Sequence, residues 1–155
     1  MTLPEFQLTV QPGWLDYNGH MNVAYYVLAF DMATDAVYEQ WRIGEAYVAS
    51  GFSVFTLGMN VDYQGEMFEG ERLRIVTQLV DMDAKRIHYF HQMFHGDTGN
   101  LVSTNECLCM NVELLTRRGT LFPDAVQTHL QQVFVDHQAR GIPAGFGRQL
   151  AIRRR

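Results

Sequence analysis

Polar and apolar residues alternate one by one over residues 5–11, the period-two mark of a strand with one buried face. Pro12-Gly13 interrupts that run. From Val23 to Trp41 the period changes. Tyr26, Val27, Phe30, Ala33, Val37 and Trp41 recur at steps of three and four, while Asp31, Asp35 and Glu39 lie off the stripe. This spacing predicts one long amphipathic helix. Gly44 and Gly51 bracket residues 45–49, where a short helical turn is predicted. Four runs rich in β-branched and aromatic residues follow, over 52–63, 71–82, 85–95 and 101–115, and each predicts a strand. The run His-Gly-Asp-Thr-Gly-Asn at 95–100 is a hairpin signal, and 81–85 is a weaker one. Residues 123–140 predict a closing helix, with Pro123 near its first turn and Gly141 past its end.

The resulting order, β-α-β-β-β-β-α, predicts an α+β fold. The long helix would bury its stripe against the concave face of one antiparallel meander. A chain of 155 residues is expected to form one domain spanning 1–155, with its core over residues 5–120 and the closing helix outside it. A sheet with an exposed edge invites edge-to-edge pairing, so a homodimer or homotetramer is expected.

A net charge of −5 and a pI near 5.6 argue against nucleic acid as a partner. Arg148 and the closing Arg153, Arg154 and Arg155 are a local basic exception, either a solvated end or an attractor of phosphates. Cys107 and Cys109 share one face of a strand but sit too far apart to bridge, so both are expected reduced. No zinc-type spacing accompanies them. His88 faces opposite to His91 and His95, which argues against a metal site and for exposed hairpin histidines. No secretory signal and no apolar run of about 18 residues is visible, so a cytoplasmic protein without a membrane partner is expected.

The densest chemistry lies in residues 14–26. Asp16, Asn18, His20 and Asn22 place four hydrogen-bonding side chains around Gly19. Glycine permits a turn with positive φ, Asn18 tolerates a left-handed turn, and Asn22 is a good helix N-cap. The segment reads as a strand end turning through Gly19 into the helix. Unpaired first-turn N–H groups and the helix dipole then converge where an oxyanion could be held. Asp16 is the nearest carboxylate, either a catalytic group or a turn cap. Trp14, Tyr17, Tyr25, Tyr26, Phe30 and Tyr63 crowd the motif. They read as core, or as an aromatic cage suited to a quaternary ammonium group.

The pattern Asp-x-Asn-Gly-His-Met-Asn-x-x-Tyr-Tyr beginning at Asp16, followed by a helix and four strand-like runs, resembles the hotdog-fold acyl-CoA thioesterases of the 4-hydroxybenzoyl-CoA thioesterase type. The resemblance extends over residues 6–120. A weaker second signature, Val61-Asp62-Tyr63 followed by Gly70-Glu71-x-Leu73, resembles the strand pair after the central helix. The resemblance implies a hotdog fold and hydrolysis of an acyl-CoA thioester, with no metal or redox cofactor. It implies that Asp16 acts as nucleophile or general base. The Val23 backbone N–H would be the oxyanion donor, joined by an N–H near Gly58 or Met59 of a partner chain; a β-bulge is the other reading of Gly58. His20 could polarise the carbonyl, orient Asp16, or simply bond a backbone carbonyl. Trp14, Tyr17, Asn18, Asn22, Tyr25, Tyr26, Met59 and Tyr63 would line the substrate. Lys85, Arg86, Arg117 and Arg118, with Arg72 and Arg74, are candidates for the coenzyme A phosphates or are solubilising residues. Asp31 is a minor catalytic candidate on the helix. Residues 14–26 are also similar to thioesterases associated with carnitine breakdown, which hydrolyse betainyl-CoA. An acyl-thioester dehydratase or hydratase and a non-catalytic acyl-CoA-binding protein are the rival readings.

Overall fold

The computed structural model describes residues 2–154. Strands β1 (Glu5–Thr9), β2 (Phe52–Tyr63), β3 (Arg72–Met82), β4 (Arg86–His95) and β5 (Leu101–Glu113) form one antiparallel sheet in the order β1-β3-β4-β5-β2. A two-residue strand β6 (Arg118–Gly119) pairs with β5. Helix α1 (Val23–Gln40) lies in the concavity of the sheet, followed by the short α2 (Glu45–Ala49). Helix α3 (Asp124–Gln138) extends the helical layer. A long helix wrapped by a curved antiparallel sheet is the hotdog arrangement.

The apolar stripe explains why α1 sits where it does. Its first turns bury Tyr26, Ala29 and Phe30 against Leu73, Ile75 and Met93 of the sheet, with Met21 and Met67 closing that end. Val37 in its last turns and Trp41, the residue just past its end, are buried against Leu79, Ile87 and Tyr89, where Leu130 and Val133 of α3 join them. Each such large side chain stabilises the fold by roughly 1.5–3 kcal/mol through burial. Cys107 and Cys109 are free and buried on this inner face.

Three expectations are corrected. The strands are not a simple meander, because β2 pairs with β5 and not with its successor β3. The residues around Val61 and those around Leu73 therefore do not form a strand pair. Residues 64–71 are too long for a tight turn. They cross the end of the sheet, held by Gln64 and Gly65 N–H on the Val102 carbonyl and by Gly70 N–H on the Val10 carbonyl.

The strand histidines are likewise not all exposed. His91 is fully buried beneath α1, stacked on Phe30. The Thr34 hydroxyl donates to the Phe30 carbonyl at 3.0 Å, so its oxygen accepts from His91 Nε2 at 2.9 Å. His91 Nδ1 then accepts from the Thr77 hydroxyl at 2.8 Å. Burial pushes the imidazole down to about 3, so it stays neutral. His88 and His95 instead pair with carboxylates, Glu106 at 2.8 Å and Glu71 at 3.3 Å.

The segment after α3 carries no periodicity, and the structure lays it across the outer face of the sheet. Phe146 packs on His88 and Phe90, Gly147 N–H donates to Glu106, and Arg148 pairs with Asp62 on β2. Arg153 and Arg154 are exposed beyond it, and Arg155 lies outside the described residues. No described helix is long and apolar enough to cross a membrane.

Candidate active site

Residues 14–22 close a small loop. Leu15 and Met21 form a bridge, and Asn22 N–H donates to the Trp14 carbonyl at 2.8 Å. Gly19 takes the reversal at φ +83°, in the left-handed region, and Asn18 does not share it. Asp16 organises the turn. Its Oδ1 accepts from Asn18 N–H at 2.8 Å and its carbonyl accepts from Gly19 N–H at 3.0 Å. Among the described residues no donor reaches its Oδ2, which leaves one carboxylate oxygen available for chemistry.

The same turn delivers the start of α1. Asn22 caps the helix, its side-chain oxygen accepting from Ala24 N–H at 2.9 Å. The Val23 N–H has no acceptor among the described residues and stands at the positive end of the helix dipole. That is the donor an oxyanion requires. The Val23 carbonyl accepts from the Tyr63 hydroxyl at 3.1 Å, which ties the helix start to the end of β2.

A cavity of about 290 Å³ opens here, walled by His20, Val23, Tyr26, Tyr63, Gly65 and Glu66. His20 Nδ1 donates to the Met21 carbonyl at 3.0 Å, while Nε2 lies 3.8 Å from the Glu66 carboxylate. The ring is thus a turn histidine facing the cavity, with no bond to Asp16. Tyr26 is buried; its hydroxyl donates to the Gly65 carbonyl and accepts from Met67 N–H, both at 3.1 Å. Sequence reading missed this Gly65–Glu66 wall. Its one signal is Gly65, where an added Cβ would meet Val102 at 3.2 Å.

The aromatic residues divide. Tyr26 and Tyr63 meet edge to face at 5.2 Å on the cavity, and Trp14 and Tyr25 stack at 5.5 Å beside it. Tyr17 is 99% exposed, and Phe30 belongs to the core on His91, so these two join no cage. Gly58 and Met59 lie outside the cavity walls, on the free edge of β2. Gly58 follows a bulge that leaves Leu57 as the extra residue. The basic candidates are mostly engaged. Arg86 forks onto Asp83 at 2.8 and 2.5 Å and holds that carboxyl down to about 2. Arg117 lies over the Phe55 ring, Arg72 pairs with Asp97, and Arg74 pairs with Glu5. Lys85 and Arg118 have no ion pair among the described residues. No group of three His, Cys, Asp or Glu among the described residues could hold a metal ion.

A second cleft, of about 600 Å³, runs between α1 and β2 and is lined by Asp31, Thr34, Asp35, Tyr38, Glu39 and Thr56, among others. Asp31 therefore belongs to this cleft and not to the cavity at the helix start.

Comparison with known proteins places these features in a family. Residues 10–130 match the family described as the thioesterase-like superfamily. The chain is 32% identical to a betainyl-CoA thioesterase of Pseudomonas aeruginosa, over 97% of this chain and 95% of that one. It is 30% identical to an L-carnitine dehydrogenase/betainyl-CoA thioesterase of Rhizobium meliloti, of which it spans only 29%. Among solved structures, a Staphylococcus aureus protein in complex with CoA superposes with a TM-score of 0.90 at 26% identity, covering 97% of this chain and 96% of that one. A putative thioesterase of Pseudomonas putida superposes at 0.83 with 25% identity, covering 99% of each. With the hotdog sheet, the central helix and the Asp16–Val23 turn all in place, the chain belongs to the thioesterase-like superfamily and is a hotdog-fold thioesterase.

Proposed function

We propose that this protein hydrolyses betainyl-CoA to betaine and CoA, with Asp16 as the catalytic carboxylate and the Val23 N–H as an oxyanion donor. One observation carries the reading. The free carboxylate oxygen of Asp16 and the open N–H of Val23 are delivered by the same turn. The 32% identity to a betainyl-CoA thioesterase supports the acyl group, and the CoA held by a structural neighbour supports the carrier.

Two routes fit the carboxylate. Asp16 attacks the carbonyl carbon, the C–S bond breaks, the thiolate leaves to take up a proton, and water then hydrolyses the mixed anhydride. Alternatively Asp16 takes a proton from water as that water attacks, and the C–S bond breaks in the same way. In both, negative charge develops on the carbonyl oxygen, where an N–H at a helix start is most effective. His20 faces the cavity and serves to position the substrate.

The site is completed by a second copy of the chain. One edge of β2 bonds to β5, and the other has no partner among the described residues over twelve residues. Phe55, Leu57 and Met59 are exposed along it. Such an edge, lined with apolar side chains, is suited to antiparallel pairing with itself. The Gly58 or Met59 N–H of the partner would then supply the second oxyanion donor. Of the basic candidates, Lys85 and Arg118 have no ion pair among the described residues and are the ones open to CoA phosphates.

Thiol release from betainyl-CoA, acetyl-CoA and longer acyl-CoAs tests the reading. Betainyl-CoA should be cleaved with the highest kcat/KM. Turnover no better than with acetyl-CoA would sink the substrate, and no turnover on any thioester would sink the reaction.

A further inference from the structure

The strap after α3 pins the chain to one end of the sheet. Phe146 packs on His88 with ring centres 4.5 Å apart, and Gly147 N–H donates to Glu106 at 2.8 Å. Arg148 completes the pin on β2. Its guanidinium pairs with Asp62, and its carbonyl accepts from the Asn60 side-chain amide at 2.7 Å. Asp62 precedes Tyr63, whose hydroxyl bonds the Val23 carbonyl at the start of α1. The strap is thus tied down beside the strand end that meets the oxyanion donor.

Residues 149–154 leave from that point and are exposed throughout. Arg153 and Arg154 have no ion pair among the described residues. The other arginines at this end of the sheet are engaged, Arg72 with Asp97, Arg74 with Glu5 and Arg148 with Asp62. Lys85 and Arg118 stand at the opposite end. Arg118 is paired with Glu113, the strand partner of Phe52, and Lys85 precedes β4 where Arg86 faces Met110. The 12 residues of β2 put Phe52 about 36 Å from Tyr63, so within one copy Lys85 and Arg118 do not serve the chain's own turn.

We infer that the segment after Arg148 is a phosphate clamp. Arg153 and Arg154 bind the 3′-phosphate at the adenosine end of CoA, and the Arg148 pin keeps them within reach of the chain's own Asp16–Val23 turn. The inference rests on CoA being the carrier, as read above. Residues 149–154 extend by at most about 20 Å, which is the order of the span the pantetheine arm puts between a thioester and the CoA phosphates. A guanidinium fork meets two phosphate oxygens at once, so adjacent arginines suit a phosphate dianion. Holding a segment on a ligand costs conformational entropy, and the pin limits that cost to the few residues beyond it. The net charge of −5 repels a polyanionic substrate, and a cationic segment at this end of the sheet offsets that locally.

Calorimetric binding of CoA and of 3′-dephospho-CoA to the whole chain tests the clamp. The wild type should bind CoA about fivefold more tightly than dephospho-CoA, and high salt should erase the difference. In the double variant Arg153→Gln/Arg154→Gln that preference should fall to about twofold or less. With Arg153→Glu/Arg154→Glu it should invert toward dephospho-CoA. Arg148→Gln keeps both arginines but releases their anchor, and the preference should fall there too. A wild type that binds both ligands equally, or a preference unchanged in the double Gln variant, overturns the clamp and leaves the thioesterase reading intact. A preference unchanged in Arg148→Gln overturns the role of the pin. Binding that follows these expectations, with no thioester cleaved by the wild type, supports the clamp and overturns the thioesterase reading alone.

Discussion

His91 makes the stability of the fold depend on pH in a way that can be worked out. The neutral ring donates from Nε2 to Thr34 and accepts at Nδ1 from Thr77, with Phe30 stacked at 5.5 Å. A second proton would sit on Nδ1, facing a hydroxyl that now donates to it. Burial holds the folded value at about 3, against 6.5 for an ordinary imidazole. Below pH 6.5 the unfolded chain takes up a proton that the folded chain refuses. Stability is therefore fully present above that value and is lost as pH falls, until about pH 3. From 6.5 down to pH 5 is one and a half pH units, and at about 1.36 kcal/mol per unit the loss is about 2 kcal/mol. His91→Gln keeps a donor and an acceptor but cannot titrate. Urea unfolding at pH 7 and pH 5, at one protein concentration, should show the wild type losing about 2 kcal/mol more than the variant. His137 shifts in the same direction but is present in both proteins, so the difference isolates His91. Equal losses in the two proteins would refute a neutral, buried His91.

Two further substitutions probe the frame of the site. Asn22→Ala removes the acceptor for Ala24 N–H and should cost about 1 kcal/mol in chemical denaturation, with a fall in kcat as Val23 loses its alignment. Tyr26→Phe leaves the Gly65 carbonyl and the Met67 N–H without their partner. It should cost about 1–3 kcal/mol in guanidinium unfolding and raise KM, because those residues hold one wall of the cavity.

The long helix, the short one after it and the bounds of β2 were legible in the sequence because each is a local periodicity between glycines. The Asp16 turn was legible for a similar reason, since Gly19 and the Asn22 cap are local signals with fixed spacing. Strand order was not. The period of β2 assigns its faces but does not choose between β3 and β5 as its neighbour; the cross-over at 64–71, anchored on Val102 and Tyr26, decides that. The burial of His91 was invisible because it depends on Thr34 and Thr77, which meet it only in the folded state. The strap over residues 143–150 was hidden too, since its contacts with Glu106 and Asp62 join distant parts of the chain. The basic pairs read as phosphate candidates mostly proved committed, as Arg86 is to Asp83, and only tertiary placement reveals such partners.

The most direct test of the account is thiol release from betainyl-CoA by the wild type and by Asp16→Asn. The substitution preserves the Asn18 turn contact, since an amide oxygen can still accept that N–H, but removes the nucleophile or base. The account predicts that kcat falls by about a hundredfold or more while the unfolding midpoint moves little. Turnover that survives the substitution would contradict it, leaving Asp16 a turn residue.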